Sequence, residues 1–108
     1  MILGGVSIPF SKGLLGHSDA DVLTHAVVDA ILGALAIGDI GRHFPDTDPA
    51  FKDMQSLRML EQVLGWVREA GYQVNNADST IVAEKPKLAP YIPDIQARLS
   101  EILQVPVH

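Results

Sequence analysis

The sequence predicts an α+β fold: a small mixed β-sheet with three helices packed on one side of it. Three observations point there. Short segments with β-type composition lie at residues 1–10 and again after Gly71. Longer stretches with helical apolar spacing and no internal proline lie between and beyond them. The resulting order is β, α, loop, α, β, α, and its two or three strands make a thin sheet for three helices, as though further strands belonged at both ends.

Residues Met1 to Phe10 alternate weakly and carry Gly4-Gly5 and Pro9, which predicts a short strand interrupted by a turn. Ser18, followed three residues later by Asp21, resembles a capping arrangement, and no proline interrupts the chain from there to Ile37. A helix is therefore expected from Asp19 to about Leu35. On it Val22, Ala26, Ala30 and Gly33 cover one side and Leu23, Val27, Ile31 and Leu35 another. What remains is a narrow polar strip of Asp21, His25 and Asp29 at i, i+4 and i+8. A helix that is apolar almost all round needs more than one packing neighbour, and in so short a chain a second subunit is one to expect.

Gly38 to Lys52 holds Gly41, Pro45 and Pro49 and reads as a turn-rich loop without helical period. A second helix is predicted from about Ser56 to Ala70, with Leu57, Leu60, Leu64 and Val67 inward and Gly71 as its stop. Tyr72–Val74 and Ala77–Glu84 read as strands, the second rich in Thr80, Ile81 and Val82. Pro86 and Pro90 mark a loop. A third helix follows Pro93 with Ile95, Leu99, Ile102 and Leu103 inward, and another strand begins near Val105.

Composition narrows the function classes. The 108 residues suit a single domain spanning 1–108, and 47% hydrophobic against 19% charged residues excludes intrinsic disorder as the main state. A formal net charge of −5 opposes the counterion-release term that drives binding to nucleic acid, so neither nucleic acid nor an anionic membrane is an expected partner. Zero cysteines exclude disulfides, thiolate zinc sites and thiol nucleophiles. The apolar run Ala30 to Ile37 is far too short to span a bilayer. Met1 to Gly5 has neither a basic n-region nor a long apolar segment, so a cytoplasmic location is expected.

Without cysteine, any metal must be held by His, Asp or Glu. His17 sits at the entrance of the first predicted helix, where free N–H groups favour an anion such as phosphate, and Ser18 beside it can donate or accept a hydrogen bond; an N-cap beside a surface imidazole explains the pair equally. His25, one turn after Asp21 and one before Asp29, reads either as a metal ligand or as a satisfied core group. Asp39, Asp46 and Asp48 bracket a glycine turn and a proline turn, suited to Mg²⁺, to sugar hydroxyls, or only to capping Asx turns. An EF-hand is excluded because Ala50 and Phe51 stand where a ligand and the required glycine belong. Lys85 and Lys87 around Pro86 form a small basic pair that can meet a phosphate or a base.

Taken in order, Gly4-Gly5-Val6-Ser7-Ile8-Pro9, Leu14-Leu15-Gly16-His17-Ser18-Asp19-Ala20-Asp21-Val22-Leu23-Thr24-His25-Ala26, Gly38-Asp39-Ile40-Gly41-Arg42-His43-Phe44-Pro45-Asp46-Thr47-Asp48-Pro49 and Ala83-Glu84-Lys85-Pro86-Lys87 make one pattern. It resembles the 2-C-methyl-D-erythritol 2,4-cyclodiphosphate synthases of non-mevalonate isoprenoid biosynthesis. The resemblance runs through essentially the whole chain and rests on several motifs in register. It implies a metal-dependent phosphorus–oxygen lyase, assembled as a homotrimer with active sites between adjacent subunits. Its small-molecule substrate is a nucleotide diphosphate, 4-diphosphocytidyl-2-C-methyl-D-erythritol 2-phosphate, which is cyclised with release of CMP.

By the same resemblance His25 is a zinc ligand, and His17 and Ser18 form the catalytic pair that contacts the substrate's phosphates. Asp39, Ile40 and Gly41 match the segment holding the methylerythritol part, and Phe44, Pro45, Asp46, Thr47 and Asp48 the loop beside it. Ala83, Lys87 and Leu88 match positions contacting the cytidine in the neighbouring subunit, and a magnesium or manganese ion bridges the α- and β-phosphates. The family's Asp-X-His pair, which completes the zinc set, occurs nowhere in these residues, and neither does its later Thr-Thr-Glu segment. The match is thus to the central part of the family's domain. Two readings follow: a synthase, or a truncated, non-catalytic segment that self-associates or acts as a small binding or scaffold domain. Zinc discriminates between them.

Overall fold

The chain opens with a minimal hairpin. Strand β1 (Ile2–Leu3) pairs antiparallel with β2 (Val6–Ser7), Leu3 opposite Val6, so that Gly4 and Gly5 alone make the turn. Their φ values of 57° and 78° are both positive, as a two-residue turn of type I′ requires. A Cβ on Gly4 would come within 2.5 Å of Ile95 Cγ2 and 3.1 Å of Leu23 Cδ2, so this turn is wedged between two helices. The computed structural model describes residues 2–9, 21–45, 55–82 and 87–105.

Among the described residues four α-helices follow: α1 (Val22–Ala34), α2 (Ile40–His43), α3 (Ser56–Glu69) and α4 (Ile92–Leu103), the last preceded by a 3₁₀ turn at Ala89–Tyr91. Helices α1 and α3 form the most extensive packing pair, with α2 and β1 against α1, and β2 against α4. Val28 and Leu32 of α1, Leu60 and Val63 of α3 and Leu99 of α4 are completely buried, joined by Leu3, Ile8 and Phe44 in one cluster. Each such aliphatic side chain contributes roughly 1.5–3 kcal/mol by leaving water. No described helix is long and apolar enough to cross a membrane.

The α+β class stands, and the details differ from the sequence reading in four places. First, α1 starts at Val22 with Asp21 as its N-cap. The expected start at Asp19 and the capping Ser18 lie outside the described residues. Second, the Gly38–Lys52 stretch is not all loop, because α2 forms within it. Four residues without helical periodicity still close a turn when two carboxylates accept their first N–H groups, as described below.

Third, Tyr72–Val74 and the described part of Ala77–Glu84 do not form strands; Ala77 alone makes an isolated bridge. β-propensity favours a pleated, half-buried surface, and a strand needs a ladder partner to realise it. Val82 at 94% exposure has no such surface. The described sheet is therefore two-stranded and antiparallel rather than mixed, and four α-helices accompany it instead of three. Fourth, Pro93 lies within the first turn of α4 rather than before it, where its missing N–H costs no hydrogen bond.

Candidate functional site

The polar strip of α1 is the organising feature of the site, since each of its residues reaches a different element. Asp21 is fully buried, and its carboxylate accepts four hydrogen bonds from the described residues. Oδ1 accepts from Gly4 N at 2.7 Å and Thr24 N at 3.0 Å; Oδ2 accepts from Gly5 N at 2.7 Å and from the Thr24 hydroxyl at 2.8 Å. One side chain thus caps α1 and clamps the hairpin turn to its N-terminal end. Glycines suit this clamp for a second reason: with positive φ at both positions, successive N–H groups converge on one anion.

One turn on, the half-buried His25 places Nε2 2.7 Å from Ser56 Oγ at the start of α3. A Ser–His pair at this distance has the geometry of an activated nucleophile. Ser56, however, is completely buried, so the hydroxyl serves the imidazole and not an incoming substrate. One turn further, exposed Asp29 accepts from Ile40 N at 2.7 Å, attaching the start of α2 to α1. The strip is a row of tertiary anchors, to the β-turn, to α3 and to α2.

The predicted substrate segment Asp39-Ile40-Gly41 sits at that third anchor. Asp39 caps α2, its Oδ1 accepting from Arg42 N at 2.9 Å, and it is exposed together with Gly41. Behind them an aromatic group fixes the segment. His43 Nε2–H donates to Ile37 O at 2.6 Å and its ring lies 5.1 Å from that of Trp66. The buried Phe44 stacks on the same Trp66 at 5.7 Å and 15°, with half-buried Pro45 next in the chain. Such aromatic pairs contribute roughly 0.5–1.5 kcal/mol beyond their buried area.

Removal of the Asp29 carboxylate isolates one of these supports. Asp29→Ala is expected to cost about 1 kcal/mol locally, because the bond is exposed and water replaces part of it. Amide hydrogen exchange at Ile40 should speed up about fivefold, with the amides of Leu60 and Leu99 unaffected.

Exposed Lys87 and half-buried Leu88 lead into the 3₁₀ turn, which packs with α4, the helix that also meets β2. Of the other predicted residues, His17, Ser18, Asp46, Thr47, Asp48 and Ala83 lie outside the described residues. The structure thus brings His25 and the Asp39–Gly41 segment together on α1, through Asp29, and carries Lys87 and Leu88 on the α4 side. Ser56 and Trp66 were missed as supporting residues. Ser56 carries a signal only as a polar residue at a helix start, and Trp66 only as the lone tryptophan.

An open trough of about 760 Å³ runs along another face of α1, lined by Ala26, Ala30 and Ala34 and by residues 72–80. None of the predicted site residues that are described lines it. Among the described residues no three His, Cys, Asp or Glu side chains converge to hold a metal ion. The imidazole of His25 has the donor chemistry zinc takes, and as a single ligand it does not complete a site.

Comparison with known proteins gives this geometry its context. Residues 1–108 match the model of the YgbB family. The 2-C-methyl-D-erythritol 2,4-cyclodiphosphate synthase of Bacillus cereus (strain B4264) is 58% identical over 107 residues, covering 99% of this chain and 68% of that protein. Its counterpart in Bacillus cytotoxicus gives the same identity and coverage. Among solved structures, a CDP-bound form of 2C-methyl-D-erythritol-2,4-cyclodiphosphate synthase superposes with a TM-score of 0.86 at 34% identity, covering 98% of this chain and 71% of the other. The bifunctional IspDF of Campylobacter jejuni does so with a TM-score of 0.83 at 38% identity, covering 99% of this chain and 30% of its own. A match along the entire sequence, at this identity and with this superposition, leaves one conclusion about descent: the chain belongs to the YgbB family, the 2-C-methyl-D-erythritol 2,4-cyclodiphosphate synthases.

Proposed function

We propose that this chain cyclises 4-diphosphocytidyl-2-C-methyl-D-erythritol 2-phosphate to 2-C-methyl-D-erythritol 2,4-cyclodiphosphate, releasing CMP, in non-mevalonate isoprenoid biosynthesis in the cytoplasm. The observation that carries this reading is the 58% identity to a protein of that name along nearly the whole chain. In the reaction an oxygen of the substrate's 2-phosphate attacks its β-phosphorus, and the bond from that phosphorus to the α–β bridging oxygen breaks. CMP leaves with that oxygen. The nucleophile is the substrate's own, so the protein's task is alignment and charge neutralisation.

In this reading His17 and Ser18 hold the phosphates at the approach to α1. The exposed Asp39 carboxylate accepts methylerythritol hydroxyls, with Ile40 and Gly41 shaping the same wall, and Phe44, Pro45, Asp46, Thr47 and Asp48 are proposed to bind the same part of the substrate. Ala83, Lys87 and Leu88 receive the cytidine from a neighbouring subunit of a homotrimer. The position of Lys87 and Leu88 beside the 3₁₀ turn that packs with α4, apart from the α1 strip, suits a site shared between two copies. Val22, 57% exposed, with Ala26 and Ala30 on the same side of α1, offers an apolar face for such assembly.

His25 is proposed as one ligand of a zinc ion. When bound, zinc supplies polarisation of a phosphoryl oxygen, and a magnesium or manganese ion supplies neutralisation of the leaving group's charge. Phosphorus-31 NMR of the substrate incubated with the chain, zinc and Mg²⁺ tests the proposal. The expected result is a pair of mutually coupled resonances from the cyclic diphosphate, together with the CMP singlet. Unchanged substrate at every metal concentration would support the self-associating, non-catalytic alternative instead.

A further inference from the structure

We propose that His43 is a positioning residue for Asp39: its imidazole ties Ile37 O to the core and so sets the direction in which the Asp39 carboxylate meets a bound methylerythritol unit. The inference rests on the proposed role of Asp39 and adds to it a residue that touches no substrate. Asp39 Oδ1 accepts from Arg42 N at 2.9 Å, whereas Oδ2 accepts no hydrogen bond from the described residues. One oxygen therefore holds the turn and the other is offered to a hydroxyl. A carboxylate anchored in this way points where its own backbone points.

That backbone needs ties from outside. Helix α2 is a single turn, and the bond that opens it, from His43 N to Asp39 O, is 3.4 Å long, beyond the usual range for N–H···O. The link from α1 has Ala36 at φ 57° and Gly38 at φ 110°, both left-handed, a region that alanine does not favour by itself. Apart from the Asp39 cap, two described side chains bond to the backbone of this segment: Asp29 at Ile40 N, and His43. His43 Nε2–H donates to Ile37 O at 2.6 Å, closing a loop of chain that contains Asp39. The half-buried imidazole lies 5.1 Å from the ring of Trp66 on α3, the helix with the most extensive contact to α1. The tie thus ends on the core and not in solvent.

The test compares the unaltered chain with His43→Phe, which keeps a ring on Trp66 but removes the donor, and with His43→Gln, whose amide N–H can reach the same carbonyl. The probe is 2-C-methyl-D-erythritol 2,4-cyclodiphosphate, titrated calorimetrically with zinc and Mg²⁺ supplied; it carries the methylerythritol unit and does not turn over without CMP. His43→Phe should raise Kd about fivefold, and His43→Gln should bring it back to within about twofold of the unaltered chain. In an Asp39→Ala background, itself weaker, the same His43→Phe change should alter Kd by less than about 1.5-fold, because its effect runs through that carboxylate. A general loss of structure would weaken binding in both backgrounds, and thermal unfolding checks that each variant is folded. Equal Kd values for the unaltered chain and His43→Phe would overturn the proposal, as would a His43→Gln as weak as His43→Phe or a fivefold loss that persists without Asp39. These results would leave the role of Asp39 standing. No binding by the unaltered chain, or binding that Asp39→Ala leaves unchanged, would refute the reading of Asp39 and the proposal with it.

Discussion

Asp21→Ala is expected to lower the stability of the chain by about 3–5 kcal/mol, the largest effect of any single polar substitution in the described structure. The estimate combines two losses. Removing a helix N-cap costs about 0.5–2 kcal/mol. The N–H groups of Gly4 and Gly5 and the Thr24 hydroxyl then lose their shared acceptor at a site where Gly4 and Thr24 are buried and Gly5 is half-buried, and each buried donor left without a partner costs about 1–3 kcal/mol. These losses overlap, which keeps the sum below their simple total. Against a typical domain stability of about 5–15 kcal/mol, the variant would be near its unfolding limit.

Asp21→Asn is the sharper control. Its amide oxygen can replace one carboxylate oxygen, but its NH₂ must then face donors at the other: Gly5 N–H and the Thr24 hydroxyl at the Oδ2 position, or Gly4 N–H and Thr24 N–H at the Oδ1 position. A loss of about 2–3 kcal/mol is expected, intermediate between wild type and alanine. Urea unfolding of the three proteins checks this order. A cost below about 1 kcal/mol for alanine would mean that the turn and the helix hold together without the carboxylate.

His25→Ala is expected to behave in the opposite way, with little loss of stability and a large loss of turnover. The side chain is half-buried and bonds the Ser56 hydroxyl, and losing such a bond costs the fold about 1–2 kcal/mol. CMP release should fall by at least about 100-fold, since a ligand to a Lewis-acidic ion has no substitute in a methyl group. The same steady-state assay on Asp21→Asn, at a temperature where that variant is folded, separates the two roles. Asp21 binds the backbone N–H groups of Gly4, Gly5 and Thr24 and the Thr24 hydroxyl, a clamp of the fold, and its effect on turnover should follow the folded fraction.

Much of this was legible in the residues. The i, i+4, i+8 strip on α1 was visible as an interruption of an otherwise apolar helix, and the structure gives each of its members a partner. Helix α3 appeared where periodicity put it, from Ser56 to Glu69, because Met59, Leu60, Val63, Leu64 and Val67 repeat at helical spacing. The family pattern was likewise readable from motifs in register. The partners themselves were not legible: that Asp21 reaches back seventeen residues to Gly4, or that Ser56 meets His25 across thirty-one, depends on tertiary packing that no local pattern encodes.

The failures have equally physical causes. Residues 72–82 have the composition of strands, yet strand formation is a property of a pair, and the described residues supply only the β1–β2 ladder. Helix α2 was hidden because it depends on the carboxylate of Asp29, eleven residues away, in addition to its own Asp39 cap. In both cases propensity was overridden by which partner was or was not within reach.

The most direct test of the account is CMP release from the cytidine-linked substrate by the 108-residue chain, with zinc and Mg²⁺ supplied, measured beside His25→Ala at matched folded fraction. The account predicts release by the unaltered chain and its near-abolition in the variant. Equal release by both proteins would contradict the assignment of His25, and no release by either would contradict the activity proposed for this chain.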